Sequence, residues 1–142
     1  MRGEFEFFDH TADIGVRLRG PTLAELFVAG ARALYAAHGE LRAAGSPLRE
    51  VLTLSAGTVE DLLHDWLAEL LFRLSARQAL YTGLRVEVEP GPAPRLTARL
   101  SGGTVDYTCS VVREEIKGVT YHQLAVTRLP DGLWTATVIF DV

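Results

Sequence analysis

Residues 9 to 13 read Asp-His-Thr-Ala-Asp, two carboxylates and an imidazole within five positions. The chain then closes on Asp141-Val142, which sets a side-chain carboxylate one residue from the terminal one, with backbone carbonyls between. Oxygen donors gathered at a strand end suit a hard cation such as Ca²⁺ or Mg²⁺. Such an ion needs further ligands from elsewhere in the chain, and Asp9 and Asp13 are the candidates. The competing reading has Asp13 capping a turn and the C-terminus fraying.

A second signal is one of usage. Thirteen arginines stand against a single lysine, Lys117, in "EEIKGVTYH". A chain that writes Arg almost everywhere and Lys once is read as needing a compact ammonium with rotatable donors there. Codon bias is the rival explanation, and Glu114 and Glu115 offer Lys117 an ordinary surface cluster.

The histidines divide. His10 lies in the loop-like "DHTAD" and is free to act as a ligand or as an acid or base. His122 falls with Leu124 and Val126 on strand alternation, which predicts a hydrogen-bonded core histidine. His64 is placed on an acidic helix surface with no second histidine nearby, so the chain lacks the H-x-x-x-H spacing of a helical zinc site. There is no nucleophile elbow, phosphate-binding loop or dinucleotide fingerprint. Gly102-Gly103 is followed by nothing that reads as a helix start.

The elements that must position these residues follow from periodicity. Residues 4 to 8 and 14 to 19 read as strands, the second alternating Ile14, Val16 and Leu18 against Gly15, Arg17 and Arg19. Thr22 with Glu25 three residues on makes a capping box. It opens a helix to about His38 that buries Leu23, Leu26, Phe27, Ala31 and Leu34, and Gly39 stops it. "ELRAAGSP" is predicted to be a loop and "LREVLTLSA" a strand. A second helix opens at Thr58, with an apolar stripe from Val59 to Leu74 that must face a sheet. Asp61, Asp65 and Glu69, at steps of four, form its outer face, read as solvated surface with an acidic partner-docking face as the alternative.

Downstream the chain turns to β structure. "LRVEVEP" and "RLTARL" pair across "GPAP", and Ser101-Gly102-Gly103 breaks the alternation. "YHQLAVTRL" and "LWTATVIFDV" flank the turn Pro130-Asp131-Gly132. In the last strand Trp134, Ala136, Val138 and Phe140 share one face, and Thr135, Thr137, Ile139 and Asp141 the other.

Composition sets the limits. The 142 residues, 48% apolar and 23% charged, suit one globular domain spanning 1–142. The fold expected is a single α/β (α+β) domain, two helices packed on a mixed, largely antiparallel sheet. A net charge of −4 leaves no overall basic field with which to bind a polyanion unaided. The lone Cys109 rules out an intramolecular disulfide and suits a reducing compartment. Acids near the N-terminus, where a signal peptide needs basic and then apolar residues, and no apolar run of membrane-spanning length, point to a cytoplasmic protein away from membranes.

Over nearly its whole length the sequence resembles the archease family. The resemblance rests on "DHTADIG" (9–15), "TLAELFVAGARALY" (22–35), "DLLHDWLAELLF" (61–72), "EIKGVTYH" (115–122) and "WTATVIFDV" (134–142). Gly118 departs from the family, which usually has alanine there, and adds backbone freedom beside Lys117. The resemblance implies a non-catalytic accessory protein of the RtcB-type RNA ligase of tRNA splicing and RNA repair. That ligase guanylylates its own histidine using GTP and a divalent metal, and the archease promotes this step and multiple turnover. It further implies a divalent cation (Ca or Mg/Mn) held by Asp13, Asp141 and Val142, and a partner-activating tip that includes Lys117, Asp9 and His10. RNA and GTP would be reached through the ligase. The alternatives are a chaperone-like modulator of a tRNA-modifying enzyme such as a methyltransferase, and a small metal-dependent phosphohydrolase.

Overall fold

A computed structural model describes residues 2–142. The chain runs β1 (Glu4–His10), β2 (Asp13–Gly20), α1 (Leu23–His38), β3 (Gly39–Glu40), β4 (Ala43–Ser55), α2 (Val59–Arg77), β5 (Ala79–Glu89), β6 (Arg95–Val105), β7 (Val111–Val112), β8 (Gly118–Val119), β9 (Ala125–Arg128) and β10 (Trp134–Asp141). One sheet has the order β1-β2-β10-β8, with β9 also on β10. A second is β4-β6-β5, and β3 pairs β7. Every ladder is antiparallel, which bears out the largely antiparallel sheet expected, and the strands divide between two sheets and a short ribbon.

The helices lie between the two sheets. α1 packs on β1, β2 and β10 from one sheet and β5 from the other, while α2 packs on β4, β5 and β6 and on β8 and β9. This is why α1 buries far more than the five-residue stripe its periodicity gives, with Val28, Ala29, Gly30, Ala33 and Ala37 also inside. Its small residues let neighbours approach closely: a Cβ on Gly30 would lie 3.2 Å from Leu18 and 3.3 Å from Leu67. Trp66 of α2 is fully buried and donates its indole N–H to the Phe27 carbonyl of α1 at 2.9 Å, satisfying the one polar atom that its burial would otherwise strand.

Both helix starts follow the sequence. Thr22 Oγ1 accepts from the Glu25 amide at 3.1 Å, and Thr58 Oγ1 from Asp61 at 3.0 Å. The reciprocal half of the first capping box is diverted, because the Glu25 carboxylate accepts from the Gly3 amide at 2.9 Å and ties the N-terminal segment to α1.

Three local expectations are corrected. "ELRAAGSP" is not a loop: β3 ends at Glu40, β4 begins at Ala43, and a register shift between Ala44 and Leu48 absorbs the Gly45 to Pro47 irregularity inside one long strand. Ser101-Gly102-Gly103 does not end its strand, since β6 runs through to Val105. The glycines are there for closeness, as a Cβ on Gly102 would sit 2.0 Å from the Leu80 carbonyl oxygen. The strand read from Tyr121 begins only at Ala125, because Gln123 adopts a left-handed φ of 57° and the Leu124 amide bonds back to the Tyr121 carbonyl. The Pro130-Asp131-Gly132 turn forms as read, with Asp131 Oδ1 accepting from the Leu133 amide at 2.9 Å.

Candidate functional site

Strand register gathers the candidate residues into one row. His10 on β1 pairs Asp13 on β2, Asp13 pairs Asp141 on β10, and Asp141 pairs Gly118 on β8. Directly paired residues point to the same side of a sheet, so His10, Asp13 and Asp141 project together, opposite the face that buries Phe140. Lys117 is the next residue, exposed, its amide donating to the Asp141 carbonyl at 2.7 Å. Five positions scattered over 130 residues of sequence thus meet at one end of one sheet.

The C-terminus does not fray. β10 extends through Asp141, and the Val142 side chain packs against the core. Asp13 follows a two-residue turn in which Ala12 takes a left-handed φ of 61°, and among the described residues its carboxylate accepts from no backbone amide; its close partner is the His10 ring, with Nδ1 3.4 Å from Oδ2. That contact lacks hydrogen-bond geometry, and His10 Nδ1 is shielded from solvent with no other partner among the described residues. Asp9 alternates to the other face of β1, pairing Ile14, and lines with Asp13 a depression of about 370 Å³ at the sheet edge.

The floor of the row is apolar. Phe8, Gly15 and Ile139 occupy the next paired positions on the same face. A Cβ at Gly15 would fall 2.4 Å from the Phe8 ring, so only glycine lets that ring lie across β2. Arg17 then stacks its guanidinium 4.3 Å from the Phe8 centroid.

His122 is not in the core. It is exposed, and its ring meets that of His10 edge-on with centroids 5.4 Å apart. The turn at 121–124 ends the alternation that had placed it inside. His64, expected on an acidic helix surface, is instead the anchor of this turn: its Nε2 bonds the Val119 carbonyl at 2.9 Å, its Nδ1 meets Asp65 at 3.1 Å, and its ring stacks on Tyr121 at 3.9 Å. One helical turn earlier, Glu60 accepts from the Val126 amide at 3.0 Å. The Thr120 amide and hydroxyl both donate to the Ile139 carbonyl. The first turns of α2 therefore hold the 118–126 segment over the row. The legible signal was Glu60 and His64 at i,i+4, polar residues beside the apolar stripe of the helix.

Chemically, the row opposes two carboxylates at the short cross-strand distance where like charges repel. Among the described residues neither Asp141 nor Lys117 enters an ion pair, and Glu114 and Glu115 do not bind Lys117. Hard oxygen donors at a strand end, with an orphaned His10 nitrogen alongside, fit a divalent cation. Side chains alone do not complete its shell, since no group of three His, Cys, Asp or Glu among the described residues is placed to hold a metal. A cation bound there would need backbone carbonyls, water or partner groups to complete its shell.

Fold and site together define a small α+β scaffold that carries a charged tip built from both chain ends. Residues 5–142 match the archease protein family. The archease of Thermococcus gammatolerans is 34% identical over 97% of this chain and 98% of its own, and that of Methanosarcina barkeri 34% over 98% and 96%. The solution structure of protein 1598 of Methanobacterium thermoautotrophicum superposes with a TM-score of 0.80 at 31% identity, covering 97% of this chain and 98% of that one. A Thermotoga maritima structure described as an archease and possible chaperone shares the fold at a TM-score of 0.63 and 24% identity, over 100% of this chain and 98% of that one. The chain belongs to the archease family.

Proposed function

We propose that this chain is a protein cofactor of an RtcB-type RNA ligase, promoting guanylylation of the ligase histidine and multiple turnover through a divalent cation at the tip. The observation that carries the reading is the row of Asp13 and Asp141, two opposed carboxylates with no ion-pair partner beyond His10 among the described residues, set beside Lys117. Asp13, Asp141 and the Val142 carboxylate would hold the cation, which when bound supplies positive charge to a nucleotide phosphate. Lys117, exposed and without an ion pair among the described residues, is left to neutralise a phosphate or a ligase carboxylate. The 118–126 segment, pinned by Glu60 and His64, keeps the tip in shape without a partner. The reading assigns the protein to the cytoplasm; no helix among the described residues is long and apolar enough to cross a membrane.

The test is ligase guanylylation with labelled GTP and limiting divalent metal, using the ligase from the same source. Wild-type protein is expected to stimulate it at least tenfold and Asp13→Ala to lose that effect. Stimulation left intact in Asp13→Ala would refute the role given to the tip. A second reading, a chaperone-like modulator of a tRNA-modifying enzyme, draws on the description of the Thermotoga relative as a possible chaperone. Altered methylation sites without any effect on ligation would favour it.

A further inference from the structure

The net charge conceals a local reversal. On the outer face of the β4-β6-β5 sheet, Val51 pairs Arg99 and Arg99 pairs Arg85, while Arg49 pairs Ser101 one step along. Alternation turns all of these away from the core that Leu52, Ala98 and Leu100 build, and Arg49, Arg85 and Arg99 are exposed. They surround a depression of about 620 Å³, with Ser101 and Gly83 lining it. A Cβ at Gly83 would lie 2.1 Å from Ser101 Oγ, so glycine keeps that hydroxyl seated across β5.

Arg85 and Arg99 are like charges directly opposed across a ladder, an arrangement that costs stability. Among the described residues none of the three arginines has a carboxylate partner. Glu50, which also borders the depression, is committed to the other side of the sheet, to Arg73, Arg77 and Tyr81. Glu87, opposite Thr97, marks the end of the basic area. Uncompensated guanidinium groups spread over two rows and three strands match a ligand carrying several anions in series. Their planar forks suit phosphate oxygens.

We propose that this face binds the phosphodiester backbone of single-stranded RNA, with Arg49, Arg85 and Arg99 as the contacts. The choice of RNA over another polyanion rests on the ligase reading above. No aromatic side chain lines the depression, so binding is indifferent to base identity and governed by salt.

The probe is labelled oligouridylate, followed by fluorescence anisotropy. Three phosphate contacts predict a log-log salt slope of about −2, which is about a 20-fold loss of affinity between about 50 and 200 mM salt. The double variant Arg85→Gln/Arg99→Gln is expected to bind about tenfold more weakly with a slope near −0.7. Arg19→Gln/Arg128→Gln, an equal change of net charge on the other sheet, should stay close to wild type, and matched thermal melts report folding of both. No binding at the lowest salt, or equal losses in the two double variants, would overturn the proposal. So would displacement of the RNA by polyglutamate at equal charge concentration, which would make an acidic protein segment the occupant. Arg85→Gln/Arg99→Gln should still stimulate ligase guanylylation, a step that needs no RNA. RNA binding with this slope by a chain that fails to stimulate the ligase would leave the arginine face standing and remove the ligase reading alone.

Discussion

Two clusters in this molecule each set carboxylates beside basic side chains and differ in how completely they are paired. Where β4, β5 and α2 meet, Glu50 accepts from Arg73 at 2.7 Å, from Arg77 at 3.1 Å and from the Tyr81 hydroxyl, while Arg73 also reaches Glu69 at 3.0 Å. Each of these charges has a partner, and the hydroxyl of Tyr81 followed by the two guanidinium groups holds the Glu50 carboxyl below its usual range. At the tip the account does not close. Asp13 has only an ill-aligned histidine, Asp141 and Lys117 have no ion pair among the described residues, and His10 Nδ1 is orphaned. The contrast separates charge that holds a fold together from charge left available for something else.

The first way to break this comparison is at Glu50. Glu50→Ala leaves Arg73, only 15% exposed, without its main partner, and is expected to destabilise the chain by about 2–3 kcal/mol in urea melts. Ligase stimulation at a temperature where the variant is folded should not change. A milder version uses pH. Because Glu50 is depressed in the folded state, its contribution is complete above the unfolded value of 4.5 and is lost as pH falls through the folded one. The wild type should therefore lose more stability between pH 5 and pH 3 than Glu50→Ala does. His38 adds an earlier loss. Its burial holds it below 6.5, so the unfolded chain takes up a proton first and stability begins to fall as pH drops below that value.

Smaller effects sharpen the other side. At Gly118 a Cβ would lie 4.0 Å from the Asp141 Cβ and the backbone is not left-handed, so the position needs no special freedom. Gly118→Ala should be stabilising by about 0.4–1 kcal/mol, read from the melt, with stimulation retained. Lys117→Ala should move stability by no more than about 0.5 kcal/mol while abolishing stimulation of guanylylation. A variant that lost both together would place Lys117 among the structural charges.

Much of this was legible in the sequence because period carries it. The apolar spacing of α1 and α2, the caps at Thr22 and Thr58, and the alternation of β2 and β10 are local signals that tertiary packing reinforces. The row of Asp13 and Asp141 was approached from the chemistry of the residues, but their facing each other is a matter of register, which a single sequence does not carry. What failed was non-local or backbone-specific. His122 was misplaced because a left-handed Gln123 ended the alternation two residues before the strand began. His64 was misread because its partner, the Val119 carbonyl, lies 55 residues away. The glycines at 102 and 103 looked like a break because close backbone approach leaves no side-chain pattern to read.

The reading turns on Asp13 and Asp141, opposed across the ladder, being kept for a cation. Calorimetric titration of Ca²⁺ and Mn²⁺ into the wild-type chain and into Asp141→Asn tests it without the ligase. One saturable site per chain, absent in Asp141→Asn while the cation-free melting temperature is unchanged or raised, is the result expected. A wild-type chain that binds neither ion, or an Asp141→Asn variant that binds them as the wild type does, would contradict it.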